Sequence, residues 1–171
     1  MIQRAPRKPP ASVFERAATA ATLPFQAGKR AVKSEYRKGI ESRIDYHFTA
    51  SVDLDAIFHD DEPGASRWDY GLGLKDARGR ELALWVEPHP ASSTSEVHTM
   101  IGKLVWLKKK LARPEFSAMQ ALTNAAERHG SVSAFRWLAM TGDITIRAGS
   151  AEARRLSSNG LAMPVRHLAL P

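Results

Sequence analysis

Two runs of alternating apolar residues, Trp68, Tyr70, Leu72, Leu74 and then Leu82, Leu84, Val86, flank the turn-forming stretch Asp76-Ala77-Arg78-Gly79. No other feature constrains the fold so tightly. A period of two places each run on one face of a strand, and a connection of this length makes the strands antiparallel neighbours. With Ala77 to Gly79 as the loop, Leu74 opposes Leu82, Leu72 opposes Leu84 and Tyr70 opposes Val86. The same register sets Gly73 opposite Ala83, Gly71 opposite Trp85 and Asp69 opposite Glu87 on the other face. A slip of one residue would put the two carboxylates on different faces.

Other elements follow from period and punctuation. Ser12 to Ala21 predicts a short helix ended before Pro24, and 28–43 predicts a strongly basic helix. Asp45 to Asp53 alternates as a half-buried strand, and His59 to Ser66, with Pro63 and Gly64, reads as a loop. Pro88 and Pro90 end the second hairpin strand, and the Ser/Thr run at 92–95 offers N-caps for the next helix. There Val97, Met100, Ile101, Leu104, Leu107 and Leu111 recur at helical spacing, while Glu96, Lys103 and Lys110 share a polar stripe. Pro114 interrupts, a helix runs from Glu115 to Arg128, closed by Gly130, and a buried strand spans Ala134 to Met140. A small strand at Ile144 to Arg147, a helix at Ala151 to Ser158 and an extended tail from Met163 to Leu170 complete the reading. The expectation is one α/β domain, 28–171, with a central mixed β-sheet flanked by helices, preceded by a basic, partly disordered arm, 1–27.

Charge is concentrated rather than spread. Residues 1 to 43 hold ten Lys or Arg against three Glu, which accounts for the whole net charge of +7. Such a segment suits a polyanion, since each phosphate neutralised releases counterions; a solvated tail and a targeting peptide are the competing readings. Glu15 and Arg16 interrupt the only candidate for a secretory apolar region. With no cysteine in the chain, disulfides, zinc-thiolate sites and thiol nucleophiles are excluded, which fits a cytoplasmic protein. No apolar run approaches the roughly 18 residues of a membrane span.

Two like charges directly opposed on a hairpin are unfavourable without compensation. Lys75 and His89 are the local counter-charges, and a cation is the alternative. Mg2+ (or Mn2+) takes hard oxygen ligands and often only one or two carboxylates, so Asp69 and Glu87 are candidate ligands. His89, two residues beyond Glu87, is a candidate base or orienter of water. The same pattern also describes two solvated strand residues near Lys75 or Arg67. Gly71 and Gly73 leave their face open to a substrate or to the ring of Trp85. His47, His59, His98, His129 and His167 lack zinc-ligand spacing, and there is no Walker loop, dinucleotide fingerprint or serine elbow.

The order helix, strand, hairpin, helix, strand, with Asp69 opening one strand and Glu87-Pro88-His89 closing the next, resembles the PD-(D/E)XK (restriction-endonuclease-like) nuclease superfamily over roughly residues 28 to 140. The resemblance implies an αβββαβ core and Mg2+-dependent hydrolysis of phosphodiester bonds in DNA, less readily RNA. It makes Asp69 and Glu87 metal ligands, and Glu41 or Glu35 the additional acidic residue of some members. His89 stands where the family has Lys, and Lys103 is the candidate for a lysine that has moved to the following helix. Lys29, Arg30, Lys33, Arg37 and Lys38 would hold backbone phosphates, and a homodimer is admitted. The rival is a non-catalytic nucleic-acid-binding or protein-interaction module on the same scaffold.

Overall fold

The computed structural model describes residues 10–129, 133–140 and 142–171. Its elements are α1 (Val13–Ala20), β1 (Gln26–Ala27), α2 (Ser34–Arg37), β2 (Ile40–Ser42), β3 (Tyr46–Asp53), α3 (Leu54–Phe58), β4 (Tyr70–Asp76), β5 (Glu81–His89), α4 (Ser95–Leu111), α5 (Ser117–His129), β6 (Phe135–Ala139), α6 (Ala151–Ser158) and β7 (Leu168–Leu170). A 3-10 turn, Pro114–Phe116, precedes α5.

The hairpin forms in the register set by its alternation, with Tyr70 opposite Val86 and Gly73 opposite Ala83, and the ladder extends to Lys75 opposite Glu81. Its loop is the three-residue type that needs a left-handed residue at its end, supplied by Gly79 at φ 84°. Asp76 fixes this turn, its Oδ1 accepting from the backbone N–H groups of Arg78 (2.9 Å) and Arg80 (2.8 Å).

Around the hairpin lies a mixed five-stranded sheet in the order β1-β3-β4-β5-β6, antiparallel except for β5 and β6. Parallel neighbours need a crossover, and α4 and α5 supply it. Both faces are buried. One carries Trp85, Trp137, Ala83 and Val52 against α1, α4 and α5; the other carries Tyr70, Leu72, Leu74, Leu84 and Val86 beneath Val32 and the small parallel sheet β2-β7. The glycines answer to packing: a Cβ on Gly71 would meet Trp85 at 2.6 Å, and one on Gly73 would collide with the Phe14 ring.

Several expectations are corrected. The division at residue 27 does not separate an arm from the domain, because Phe14, Ala17 and Ala18 of α1 are core residues and β1 is a strand of the sheet; residues 1–9 lie outside the described residues. The basic helix over 28–43 is not formed. Gly28 is left-handed at φ 58°, only Ser34–Arg37 is helical, and Ile40–Ser42 pairs with the C-terminal strand. Lys29 and Arg37 instead bond the carbonyls of this irregular segment: Lys29 Nζ reaches Ile40 O, and Arg37 Nε reaches Val32 O.

α3 fills the gap between the expected strand, which ends at Asp53, and the expected loop, which begins at His59. Asp53 caps it, its Oδ1 accepting from Ala56 N at 2.9 Å. β5 continues through Pro88 to His89, because β4's last rung is Tyr70 with Val86 and proline is tolerated where a strand has no neighbour on one side. Residues 144–147 form no strand, holding to Ala91 through Thr145 N instead. Thr94 precedes α4 without a side-chain cap, and Gly130 lies outside the described residues. Among the described residues no helix is long and apolar enough to cross a membrane.

Topology gathers chemistry at one end of the sheet. β3 ends at Asp53, β4 begins directly after Asp69, β5 ends with Glu87 and His89, and β6, parallel to β5, ends alongside His89 at Ala139.

Candidate active site

Glu87 is the centre of this sheet end. Its side chain is 1% exposed, and its Oε2 accepts a hydrogen bond from Asp69 N at 2.7 Å, which fixes the carboxylate just past the last ladder rung. Lys103 of α4 compensates the buried charge, its Nζ contacting Glu87 Oε1 and lying 3.4 Å from Asp69 Oδ1. The counter-charge therefore comes from the following helix. Lys75 pairs with Glu81 and Arg67 with Asp55, so neither local cation serves the pair.

The electrostatics leave room for more positive charge. Burial first, and then the Asp69 carboxylate, push the Glu87 carboxyl well above its ordinary range, with Lys103 and the Asp69 N–H offsetting part of the rise. Burial works to lower the Lys103 ammonium, but the two carboxylates outweigh it and hold the lysine charged. One ammonium thus faces two carboxylates in a half-closed site.

These oxygens fit a divalent cation: both are hard donors, and both lie around one point, since a single Nζ contacts them. Among the described residues no group of three or more His, Asp or Glu is placed to hold an ion. Two carboxylates are what a Mg2+ ion that keeps its waters uses.

The remaining expected residues divide. His89 is at the sheet end, yet its Nε2 lies 2.7 Å from Glu96 Oε2 in the first turn of α4, and its ring is not bonded to either carboxylate. Glu41 is displaced from the site, as it sits on β2, largely exposed, with its Oε2 3.2 Å from His167 Nε2. Glu35 is on α2, beside Tyr36. Burial, then Glu35, then the charges of Asp69 and Glu87 push the Tyr36 hydroxyl upward. Of the five basic residues, Lys29 and Arg37 are engaged by backbone carbonyls, whereas Arg30, Lys33 and Lys38 are exposed.

Two contributors escaped the sequence reading. Glu96 holds His89, and Glu62, in the loop before β4, accepts from Trp106 Nε1 at 2.7 Å and pairs with Lys110. Lys110 lies 4.0 Å above the Phe58 ring, so the loop that delivers Asp69 is fastened to the helix that carries Lys103. The signal available was the stripe itself: Glu96, Lys103 and Lys110 recur every seven residues, and each meets a partner at or beside the sheet end. No family model matches the chain, and comparison with curated proteins and with solved structures likewise finds no match.

Proposed function

We propose that this protein is a Mg2+-dependent nuclease that hydrolyses phosphodiester bonds, in DNA before RNA. The observation that carries the reading is the meeting of Asp69, Glu87 and Lys103 at one sheet end, with Lys103 delivered from the helix after the carboxylate strand. With β1, α2, β2, α3 and α5 set aside as additions, the succession α1, β3, β4, β5, α4, β6 supports a restriction-endonuclease-like core.

Asp69 and Glu87 would hold the ion, which supplies a water of lowered pKa and neutralises charge developing on the phosphate. Lys103 offers N–H donors to the attacking water or to a phosphate oxygen. His89, held by Glu96, would take or return a proton at the rim. Arg30, Lys33 and Lys38 present exposed charge for the backbone of the nucleic acid.

A plasmid-nicking assay with Mg2+ tests the assignment: Asp69→Ala is expected to lose all metal-dependent nicking while melting within a few degrees of the wild type. Nicking at the wild-type rate by the variant would overturn it. One observation favours a non-catalytic module instead, namely that Lys103 already reaches both carboxylates without an ion. That reading requires salt-sensitive nucleic-acid binding, unaffected by chelators, and no turnover.

A further inference from the structure

At the same end of the sheet as the carboxylates, but on its opposite face, lies a hollow of about 390 Å3 that the proposed chemistry does not use. Its lining includes Tyr36, Leu138 and Met140 together with the charged Glu35 and Arg166. It is joined to the site through backbone neighbours on two strands. The Tyr36 ring packs 6.4 Å from Tyr70, the residue after Asp69, and Met140 N donates to His89 O at 3.2 Å, two residues after Glu87.

We propose that this hollow receives one unpaired nucleobase of the substrate, so that the preferred substrate is a nucleic acid with unstacked nucleotides at the cleavage point: a single strand, a flap or a frayed end. The inference rests on the nuclease reading and deepens it. The space is at the small end of ligand clefts, too small for a base pair with its backbones and sufficient for one ring system. Its chemistry is that of a flat heteroaromatic ring with a polar edge. The Tyr36 ring is a stacking surface, the Met140 thioether is a soft contact for a π face, and the Glu35 carboxylate accepts from the amino groups of a base edge.

Arg166 presents a guanidinium, 60% exposed, that bonds Gly142 O at 2.5 Å and lies 3.8 Å from Asp143, leaving donors for a phosphate. A base taken into this hollow brings its flanking phosphodiester to the strand ends that carry Asp69 and Glu87. A paired, stacked base cannot enter without paying for unstacking, which is the source of the preference.

The test uses one oligonucleotide sequence carrying a single 2-aminopurine, offered as a single strand and as a blunt duplex, with Ca2+ in place of Mg2+ to prevent cleavage. The wild type is expected to bind the single strand at least about tenfold more tightly, with a fluorescence change at the probe, and Tyr36→Ala to lose about tenfold of that affinity. Tyr36→Phe keeps the stacking surface and is expected to behave as the wild type, whereas Met140→Trp fills the hollow from another element and is expected to lose the preference. Binding of the blunt duplex as tightly as the single strand, unchanged in Tyr36→Ala and Met140→Trp, would overturn the inference and leave the nuclease reading standing. Absence of binding to either oligonucleotide would remove both.

Discussion

Lys103 and Glu87 form a pair whose members depend on each other unequally. Glu87 is almost wholly enclosed and Lys103 only 17% exposed, so truncating the lysine strands a buried carboxylate. Breaking a buried pair from one side costs several kcal/mol. Lys103→Met is expected to lower unfolding free energy by about 3 kcal/mol in chelator, measured by urea denaturation, and to regain part of it when Mg2+ is added, because an ion at the carboxylates takes over the compensation. A loss that Mg2+ does not touch would argue that the carboxylates hold no ion.

Gly73 sets a second limit at this scale. Gly73→Ala drives a methyl into the Phe14 ring and is expected to cost about 3 kcal/mol, by calorimetric melting. Gly71 and Gly73 had two readings in sequence, and the structure settles them as sites of close packing by Trp85 and Phe14. The identity of the covering ring at Gly73 was illegible because Phe14 belongs to a helix far upstream.

Among the elements, α4 is the one that organises the site, and its apolar stripe was plain in sequence. The polar stripe was equally visible, but its partners come from the ends of β4 and β5 and from the loop before β4, contacts that no local period records. The hairpin register from Tyr70 to Leu74 was legible because alternation, turn length and Gly79 agree, but its open end was not: Trp68 lies outside β4 and packs in the core of the opposite face, and Asp69 meets Glu87 through its backbone N–H and not as a ladder pair. The segment from Gly28 to Arg43 was misread because basic residues suit a helix surface, whereas here Lys29 and Arg37 stabilise carbonyls that no helix satisfies.

The fastening of the 59–66 loop to α4 has its own pH signature. Hydrogen bonds from Lys110 and then Trp106 hold the Glu62 carboxyl below its ordinary value near 4.5. A carboxyl lowered in the folded state adds stability above its unfolded value, and that stability is lost as pH falls through the folded value. Glu62→Gln leaves buried Lys110 without its carboxylate and is expected to cost about 1–3 kcal/mol near neutrality. Its melting temperature is expected to fall less steeply than that of the wild type between about pH 5 and pH 3. Parallel pH profiles for the two proteins would show that the pair does not contribute.

For the molecule as a whole, the sheet is covered on both faces, so the end where the carboxylates converge is left as the place for chemistry. The single α/β domain and its mixed sheet were legible from the order of strands and helices. Inclusion of α1 and β1 was not, because Ala-rich residues between prolines gave no sign of docking onto a distant sheet. The proposed sharing of one divalent cation by Asp69 and Glu87 is tested by calorimetric titration of Mn2+ and Mg2+ into the wild type and Asp69→Ala. Saturable one-site binding to the wild type, weakened at least about tenfold in the variant, is the expected result. No binding to the folded wild type, or equal binding to both proteins, would contradict it.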